Sequence, residues 1–261
     1  MKETVLVSGG AGYIGTHTTV ELIEAGYDVV IVDNLSNSEM AAVEGVRKIT
    51  GVNVPFEQVD CTDKEALGRV FDQYKFNSII HFAASKAVGE SVEKPLLYYR
   101  NNLQSLITIL ELMRDKGVRN IVFSSSCTVY GQPDVLPVTE QTPRQPATSP
   151  YGNTKQICED ILRDTVHAYP ELFGIALRYF NPIGAHPSAL IGELPKGVPM
   201  NLVPFITQTA AGIRECLSVF GDDYDTPDGS AIRDYIDVND LARAHVVAVD
   251  RMVGGKSKSK Y

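Results

Sequence analysis

The chain has no long apolar run, few cysteines and a shortage of basic residues. Each deficit excludes a class of protein. No stretch approaches the ~20 apolar residues that a membrane-spanning helix needs. Met1-Lys2-Glu3-Thr4 enters a strand-like run at once, without a signal-peptide pattern. The four cysteines, Cys61, Cys127, Cys158 and Cys216, are scattered and form no C-x-x-C pair. That spacing supports neither a disulfide framework nor a structural zinc site. It predicts four small core side chains in a reducing cytoplasm. Lysine and arginine number 24 against 32 acidic residues, a net charge of −8. A general nucleic-acid or anionic-membrane binder needs the opposite balance, although a local phosphate pocket remains open. The five histidines include no H-E-x-x-H, so packed or surface imidazoles are expected and no metal. Asp222 to Gly229 looks like a calcium loop, but counted from Asp223, Pro227 takes the place of the third ligand. An acidic turn is expected there. No period of 20–50 residues repeats, which argues against a solenoid.

What is present is a chain of 261 residues, 44% hydrophobic and 21% charged, which is the composition of a folded globular protein. Short β-branched runs alternate with helix-period segments. The runs are Thr4–Val7, Val29–Val32, Val54–Phe56, Ser78–Phe82, Ile121–Phe123 and Ile175–Leu177. Between them, apolar residues recur one turn apart, as at Leu96, Leu103, Leu106, Leu110 and Met113. Nearly continuous apolar strands spaced by amphipathic helices predict an α/β fold, a doubly wound parallel sheet of Rossmann type. Residues 132–150 carry five prolines and 182–200 carry four, so both are expected outside the sheet.

Three patterns carry chemistry. Gly9, Gly12 and Gly15 follow the first strand and open the first helix, where backbone N–H groups face an anion. Asp33 ends the second strand, 18 positions beyond Gly15, and is expected to accept hydrogen bonds from an adenosine ribose. Its charge would repel a 2′-phosphate, favouring NAD over NADP. Ser149 suits a helix N-cap and Pro150 the first helical position, which places Tyr151 and Lys155 one turn apart on one face. A nearby ammonium would lower the phenol pKa and let Tyr151 shuttle a proton. Ser124-Ser125-Ser126 ends the fifth strand, where a hydroxyl would meet an alcohol substrate. Spacing leaves open which serine matters.

With these residues in place, the chain resembles the extended short-chain dehydrogenase/reductase superfamily, and within it the UDP-glucose 4-epimerase family. The stretches that carry the resemblance are Gly9–Gly15, Asp33–Ser38, His81–Ser91, Ser124–Gly131, Ser149–Lys155, Arg178–Pro182, Gly184–Pro187 and Arg233–Ile236. The resemblance implies a tightly held NAD that is not consumed and a UDP-hexose substrate. Tyr151 would take the proton of the sugar 4-hydroxyl as hydride leaves. Ser126 would hydrogen-bond that hydroxyl, and Lys155 would depress the Tyr151 pKa and hold the nicotinamide ribose. The keto sugar would turn over and receive the hydride on its other face, a net isomerisation.

The cofactor shell implied is Tyr13 and Ile14 at the pyrophosphate, and Asp33, Asn34, Leu35, Ser36, Asn37 and Ser38 around the adenosine ribose. Asp60 and Cys61 would lie at the adenine. Phe82, Ala83, Ala84, Ser85, Lys86, Asn101, Ser126 and Phe180 complete it. The nucleotide-sugar positions are Asn181, Asn201, Leu202, Ser218, Val219, Phe220, Arg233 and Tyr235. Phe220 would stack on uracil and Arg233 would bind the diphosphate, unless Arg233 forms a surface ion pair with Asp234.

Three positions depart from the pattern. Ala84-Ser85 stands for Gly-Leu, Met200 for the first of two asparagines, and Asp237 for a histidine. The resemblance also implies a further ~80 residues completing a small substrate domain. The expected organisation is an NAD-binding domain over 1–180 and an incomplete substrate-binding region over 181–235. A helix returning to the main domain over 236–252 and a tail over 253–261 follow. Two other functions remain open: a catalytically impaired NAD-binding fragment, and a nucleotide-sugar dehydrogenase using free cofactor. A dehydratase would need an Asp–Glu pair where Cys127-Thr128 stands. The apolar faces Leu96–Met113 and Ile157–Val166 either pair across a two-fold axis in a homodimer or simply cover the sheet.

Overall fold

A computed structural model describes residues 3–255. Met1, Lys2 and the tail from 256 to 261 lie outside the described residues. The β-branched runs form β1 (Thr4–Ser8), β2 (Asp28–Asp33), β3 (Phe56–Gln58), β4 (Ser78–His81), β5 (Asn120–Ser124) and β6 (Phe173–Leu177). They pair in parallel in the order β3-β2-β1-β4-β5-β6. The order reverses between β1 and β4, and the crevice outside the strand C-termini at such a switch point is where open α/β sheets bind ligands.

Alternate side chains leave a strand on opposite faces, and here both faces are dry. Leu6, Ile79, Ile121 and Phe123 enter one core with residues of α3 (Lys64–Gln73), α5 (Pro95–Lys116) and α6 (Pro150–Ala168). Val5, Val7, Ile80 and Val122 enter the other with α1 (Tyr13–Glu24), α2 (Met40–Thr50) and α8 (Val238–Val253). This is why the strands read as unbroken apolar runs. Helix α8 joins the second core through Val246, Ala248, Val249 and Met252. The short helices α4 (Val88–Glu93) and α7 (Leu202–Ala210) cover less.

The structure departs from the sequence reading at three places. Pro182 lies inside a strand: β7 (Asn181–Ile183) pairs in parallel with β8 (Tyr235–Asp237), Pro182 opposite Ile236. A two-stranded sheet leaves each strand an outer edge, where a missing N–H costs nothing. Strand β3 begins at Phe56 rather than Val54. The Pro55 carbonyl still accepts from Ile31 N at 2.9 Å, but proline cannot donate back. Cys216 is exposed, unlike the buried Cys61 and Cys158 and the half-buried Cys127. It sits in irregular chain between α7 and β8, away from either core.

Ser149 caps α6 by accepting from Gly152 N at 3.1 Å, with Pro150 at the first helical position. Ser149→Ala is expected to cost about 1 kcal/mol, read as a lowered urea midpoint at unchanged slope. The Asp222–Gly229 segment is an acidic turn, closed by Tyr224 N donating to Gly229 O at 3.1 Å. Among the described residues no three His, Cys, Asp or Glu side chains are grouped to hold a metal, and no helix is long and apolar enough to cross a membrane.

Candidate active site

The glycine loop between β1 and α1 is shaped by close approach. Gly9 has φ +71°, and a Cβ there would lie 2.7 Å from Ala83 N. A Cβ on Gly15 would lie 2.4 Å from Gly9 O. No side chain caps α1, so its first N–H groups, at Tyr13, Ile14 and Gly15, face the crevice with the positive end of the helix dipole. This cradle suits a dinucleotide pyrophosphate: it is narrow, electropositive and lined by backbone.

Asp33 does more than the sequence reading expects. It is buried, and one oxygen accepts from Ala11 N at 3.1 Å while the other accepts from Leu35 N at 2.9 Å and Ser38 Oγ at 2.7 Å. The carboxylate therefore ties the glycine loop to the end of β2. It also holds Leu35 at φ +57°, a conformation costly for a side-chain-bearing residue. Asn34, Ser36 and Asn37 are exposed around it. Asn34 Nδ2 donates to Asp60 at 2.9 Å, joining two of the expected adenosine residues. Burial raises the Asp60 pKa, but the hydrogen bonds from Thr62 and Asn34 outweigh it and hold the carboxyl below its usual value. Beside it, burial pushes the Cys61 thiol up to about 12, so this cysteine is inert.

The serine run is resolved into three roles. Ser124 Oγ bonds the buried Tyr179 hydroxyl. Ser125 Oγ donates to Glu159 at 2.6 Å, deep in the protein. Ser126 faces the crevice and accepts from Thr128 N at 3.2 Å, starting the 3-10 turn Cys127–Tyr130. Glu159 is missed by sequence reading. It lies four residues after Lys155 on the same helical face and takes two bonds from Arg178, at 2.8 and 2.6 Å. This pair and Ser125 lock the end of β5 to α6, which fixes Ser126 against Tyr151.

Lys155 is fully enclosed. Its ammonium donates to Ser124 O at 2.6 Å and sits 4.9 Å from the Phe123 ring centre and 5.8 Å from that of Tyr151. Desolvation pushes it down to about 8, against the pull of Cys158 and Glu159. The sequence reading expects a lowered Tyr151 pKa. In the structure burial dominates and pushes the phenol up to about 12, with the Ser126 hydroxyl acting in the opposite sense. His81 lies behind this site, with Nδ1 bonded to Ser8 Oγ at 2.7 Å. Burial, assisted by the Lys155 charge, pushes it down to about 3, so it is a neutral packing imidazole.

A lysine whose pKa falls on folding destabilises the fold while both states carry the charge, below about 8. That penalty fades as pH rises from about 8 towards the ordinary value of 10.5. Lys155→Met is therefore expected to stabilise the cofactor-free protein at neutral pH, by on the order of 1–3 kcal/mol. The gap from wild type in urea unfolding should narrow steadily across that alkaline window; a constant gap would contradict the charge argument.

Other expected residues gather at the mouth. Phe82 to Lys86 lead out of β4, and Asn101 Nδ2 donates to Ser85 Oγ at 3.1 Å. Tyr13 OH donates to Gly184 O at 2.6 Å, linking the glycine loop to the chain after β7. Lys86 pairs with Glu193 at 3.5 Å, and Glu193 also accepts from Asn201 Nδ2. Glu193 thus joins an expected cofactor residue to an expected substrate residue, which no local pattern reveals. Phe180 is half-buried. The remaining nucleotide-sugar positions stand open to solvent: Asn181, Leu202, Ser218, Val219, Arg233 and Tyr235 are exposed, and Phe220 is 99% exposed, although Asn181 and Tyr235 face each other across β7 and β8. Arg233 donates to Ile232 O at 2.7 Å and does not pair with Asp234.

A glycine cradle at the switch point of a 3-2-1-4-5-6 sheet, facing a Tyr-x-x-x-Lys helix, is matched by comparison with known proteins. Residues 5–261 match the model of the NAD dependent epimerase/dehydratase family. The chain belongs to this family. A UDP-glucose 4-epimerase of Dictyostelium discoideum is 53% identical over 252 residues, covering 97% of this chain and 73% of that one. One from Schizosaccharomyces pombe is 55% identical over 251 residues, covering 95% and 70%. The crystal structure of the Bifidobacterium longum UDP-glucose 4-epimerase, in complex with NAD+ and UDP, is 52% identical with a TM-score of 0.93, covering 95% of this chain and 74% of that one. The resemblance and the fold class read from the sequence are borne out.

Proposed function

We propose that the chain is a UDP-glucose 4-epimerase, interconverting UDP-galactose and UDP-glucose with a retained NAD. The observation that carries this is the placement of Tyr151, Lys155 and Ser126 at the strand C-termini, opposite an uncapped helix N-terminus, in a chain about half identical to such epimerases. When bound, NAD supplies a hydride acceptor that becomes the donor for the return step.

Tyr151 is the group that takes the 4-hydroxyl proton and gives it back. Ser126 orients that hydroxyl. Lys155, 5.8 Å from the Tyr151 ring centre, supplies a positive charge that favours the phenolate against the burial that raises it. Gly9, Gly12, Tyr13, Ile14 and Gly15 cradle the pyrophosphate. Asp33 to Ser38 with Asp60 and Cys61 hold the adenosine end, while Phe82 to Lys86, Asn101 and Phe180 line the nicotinamide end. Asn181, Asn201, Leu202, Ser218 to Phe220, Arg233 and Tyr235 bind the nucleotide sugar. The division at residues 180, 235 and 252 is proposed with these roles.

The test is UDP-galactose turnover by the purified chain, without added NAD, with UDP-glucose detected by a coupled enzyme. Turnover with no net NADH is expected; net NADH would mean a dehydrogenase. The exposure of Phe220 and Arg233 favours a second reading, an NAD-binding chain without turnover. Cofactor released on denaturation with no product formed would establish it.

We also propose a homodimer in a reducing, cytoplasmic setting. Leu106, Leu110, Met113, Leu162 and Val166 are spent on the core, but Leu96 and Leu97 on α5 are 76% and 49% exposed. Sedimentation at monomer mass over all concentrations would contradict the dimer.

A further inference from the structure

Asn102 is a polar residue on a buried helix face, 3% exposed within α5. A carboxamide offers two acceptor sites and two donor hydrogens, and all four are used here. Oδ1 accepts from Ser85 N at 2.8 Å and from Asn101 Nδ2 at 3.2 Å. Nδ2 donates to Ser85 O at 3.0 Å and to Thr154 Oγ1 at 3.1 Å. Thr154 Oγ1 in turn donates to Tyr151 O at 2.7 Å. The side chain therefore grips both polar groups of the Ser85 backbone, as a neighbouring strand would, and holds the first turn of α6 with its remaining hydrogen. The Asn102 carbonyl accepts from Ser105 Oγ at 3.2 Å and Cys158 Sγ at 3.6 Å, which anchors it from behind.

The segment it grips is held elsewhere through side chains, Ser85 Oγ by Asn101 and Lys86 by Glu193, but its backbone has few other partners. After β4 ends, Phe82 N donates to Ser8 O at 2.9 Å and Ala87 N to Tyr98 OH at 3.1 Å. Between those points, Asn102 is what sets the orientation of the Ser85 backbone. We propose that Asn102 is a positioning residue that fixes the Phe82–Lys86 segment relative to the helix turn carrying Tyr151 and Lys155. The proposal rests on the reading above, in which that segment lines the nicotinamide end. It assigns to Asn102 the spacing between the bound cofactor and the proton-transfer group, with no contact of its own to either.

The test uses Asn102→Ala, Thr154→Val and Thr154→Ser in the full chain. Thr154→Val leaves the grip on Ser85 intact and removes the bond from Asn102 to α6, together with the Thr154 hydroxyl's own bond to Tyr151 O. It is expected to lower kcat about tenfold, the worth of one buried hydrogen bond, with KM for UDP-galactose within about twofold. Thr154→Ser, which keeps the hydroxyl, should restore kcat. Asn102→Ala should also release bound NAD about tenfold faster, measured as cofactor loss after dilution. The double variant Asn102→Ala/Thr154→Val should lose less kcat than the product of the two single losses, because both single variants remove the same shared bond.

A lowered melting temperature with wild-type kcat and wild-type NAD release would overturn the proposal, as would full additivity of the two kcat losses. Should Asn102→Ala fail to fold, an undiminished kcat in Thr154→Val overturns it. If the wild-type chain retains NAD without turning over sugar, the functional reading fails for this chain. The NAD release rate of Asn102→Ala then decides the positioning role alone.

Discussion

Tyr151→Phe should lower UDP-galactose turnover by about 10²- to 10⁴-fold, the range for loss of a general acid–base group, and leave the NAD content unchanged. Phenylalanine keeps the ring that lies 5.8 Å from the Lys155 ammonium. It also keeps the Tyr151 carbonyl that receives the Thr154 hydroxyl, so the helix turn is undisturbed. Only the phenolic oxygen is lost. No neighbour replaces it. The Lys155 ammonium is committed to Ser124 O, and the histidine behind the site is held neutral at about 3. Ser126 alone is too weak an acid or base at neutral pH to carry the proton. A variant that keeps turnover within tenfold of wild type would remove Tyr151 from its role. The two fates of NAD separate chemistry from binding: cofactor retained with turnover lost is the expected pair.

Gly15→Val should abolish NAD retention and lower stability by about 1–3 kcal/mol, the usual cost of forcing extra carbons into a packed site. A side chain at this position meets backbone on two sides, Gly9 O at 2.4 Å and Gly10 Cα at 2.7 Å. Backbone cannot rotate away as a side-chain tip does, so α1 and the loop must separate. Their separation carries the free N–H groups of the first turn away from the cradle. Gly68→Ala is the control. It is also a helical glycine, yet its nearest neighbour would be a Leu112 methyl at 3.6 Å, and the exchange favours helix by about 1 kcal/mol. Cofactor content after purification and thermal midpoints of both variants give the comparison. Retention of NAD by Gly15→Val would show that the pyrophosphate does not lie on this loop.

The amino-acid sequence alone determined the parallel sheet, the glycine cradle and the capped helix that presents Tyr151 and Lys155. All three are local or periodic. Strands buried on both faces must be apolar throughout, a tight strand–helix turn requires glycine at fixed offsets, and a helix start is written by Ser149 and Pro150 within two residues. The paired strands β7 and β8 were hidden, because they join residues some fifty positions apart through three-residue segments, one containing proline.

Tertiary structure alone decided how the serines divide their work and what sets the charge state of the site. A serine run carries no record of the Tyr179 and Glu159 that will face it. The sequence places an ammonium near a phenol, but depth of burial outweighs that charge, raising Tyr151 and lowering Lys155, and depth belongs to the packed protein. Asn102 and Glu193 escaped for the same reason. Their partners, Ser85 and Thr154 for one and Lys86 and Asn201 for the other, are brought together by the crossing of separate elements, a relation that no spacing along the chain encodes.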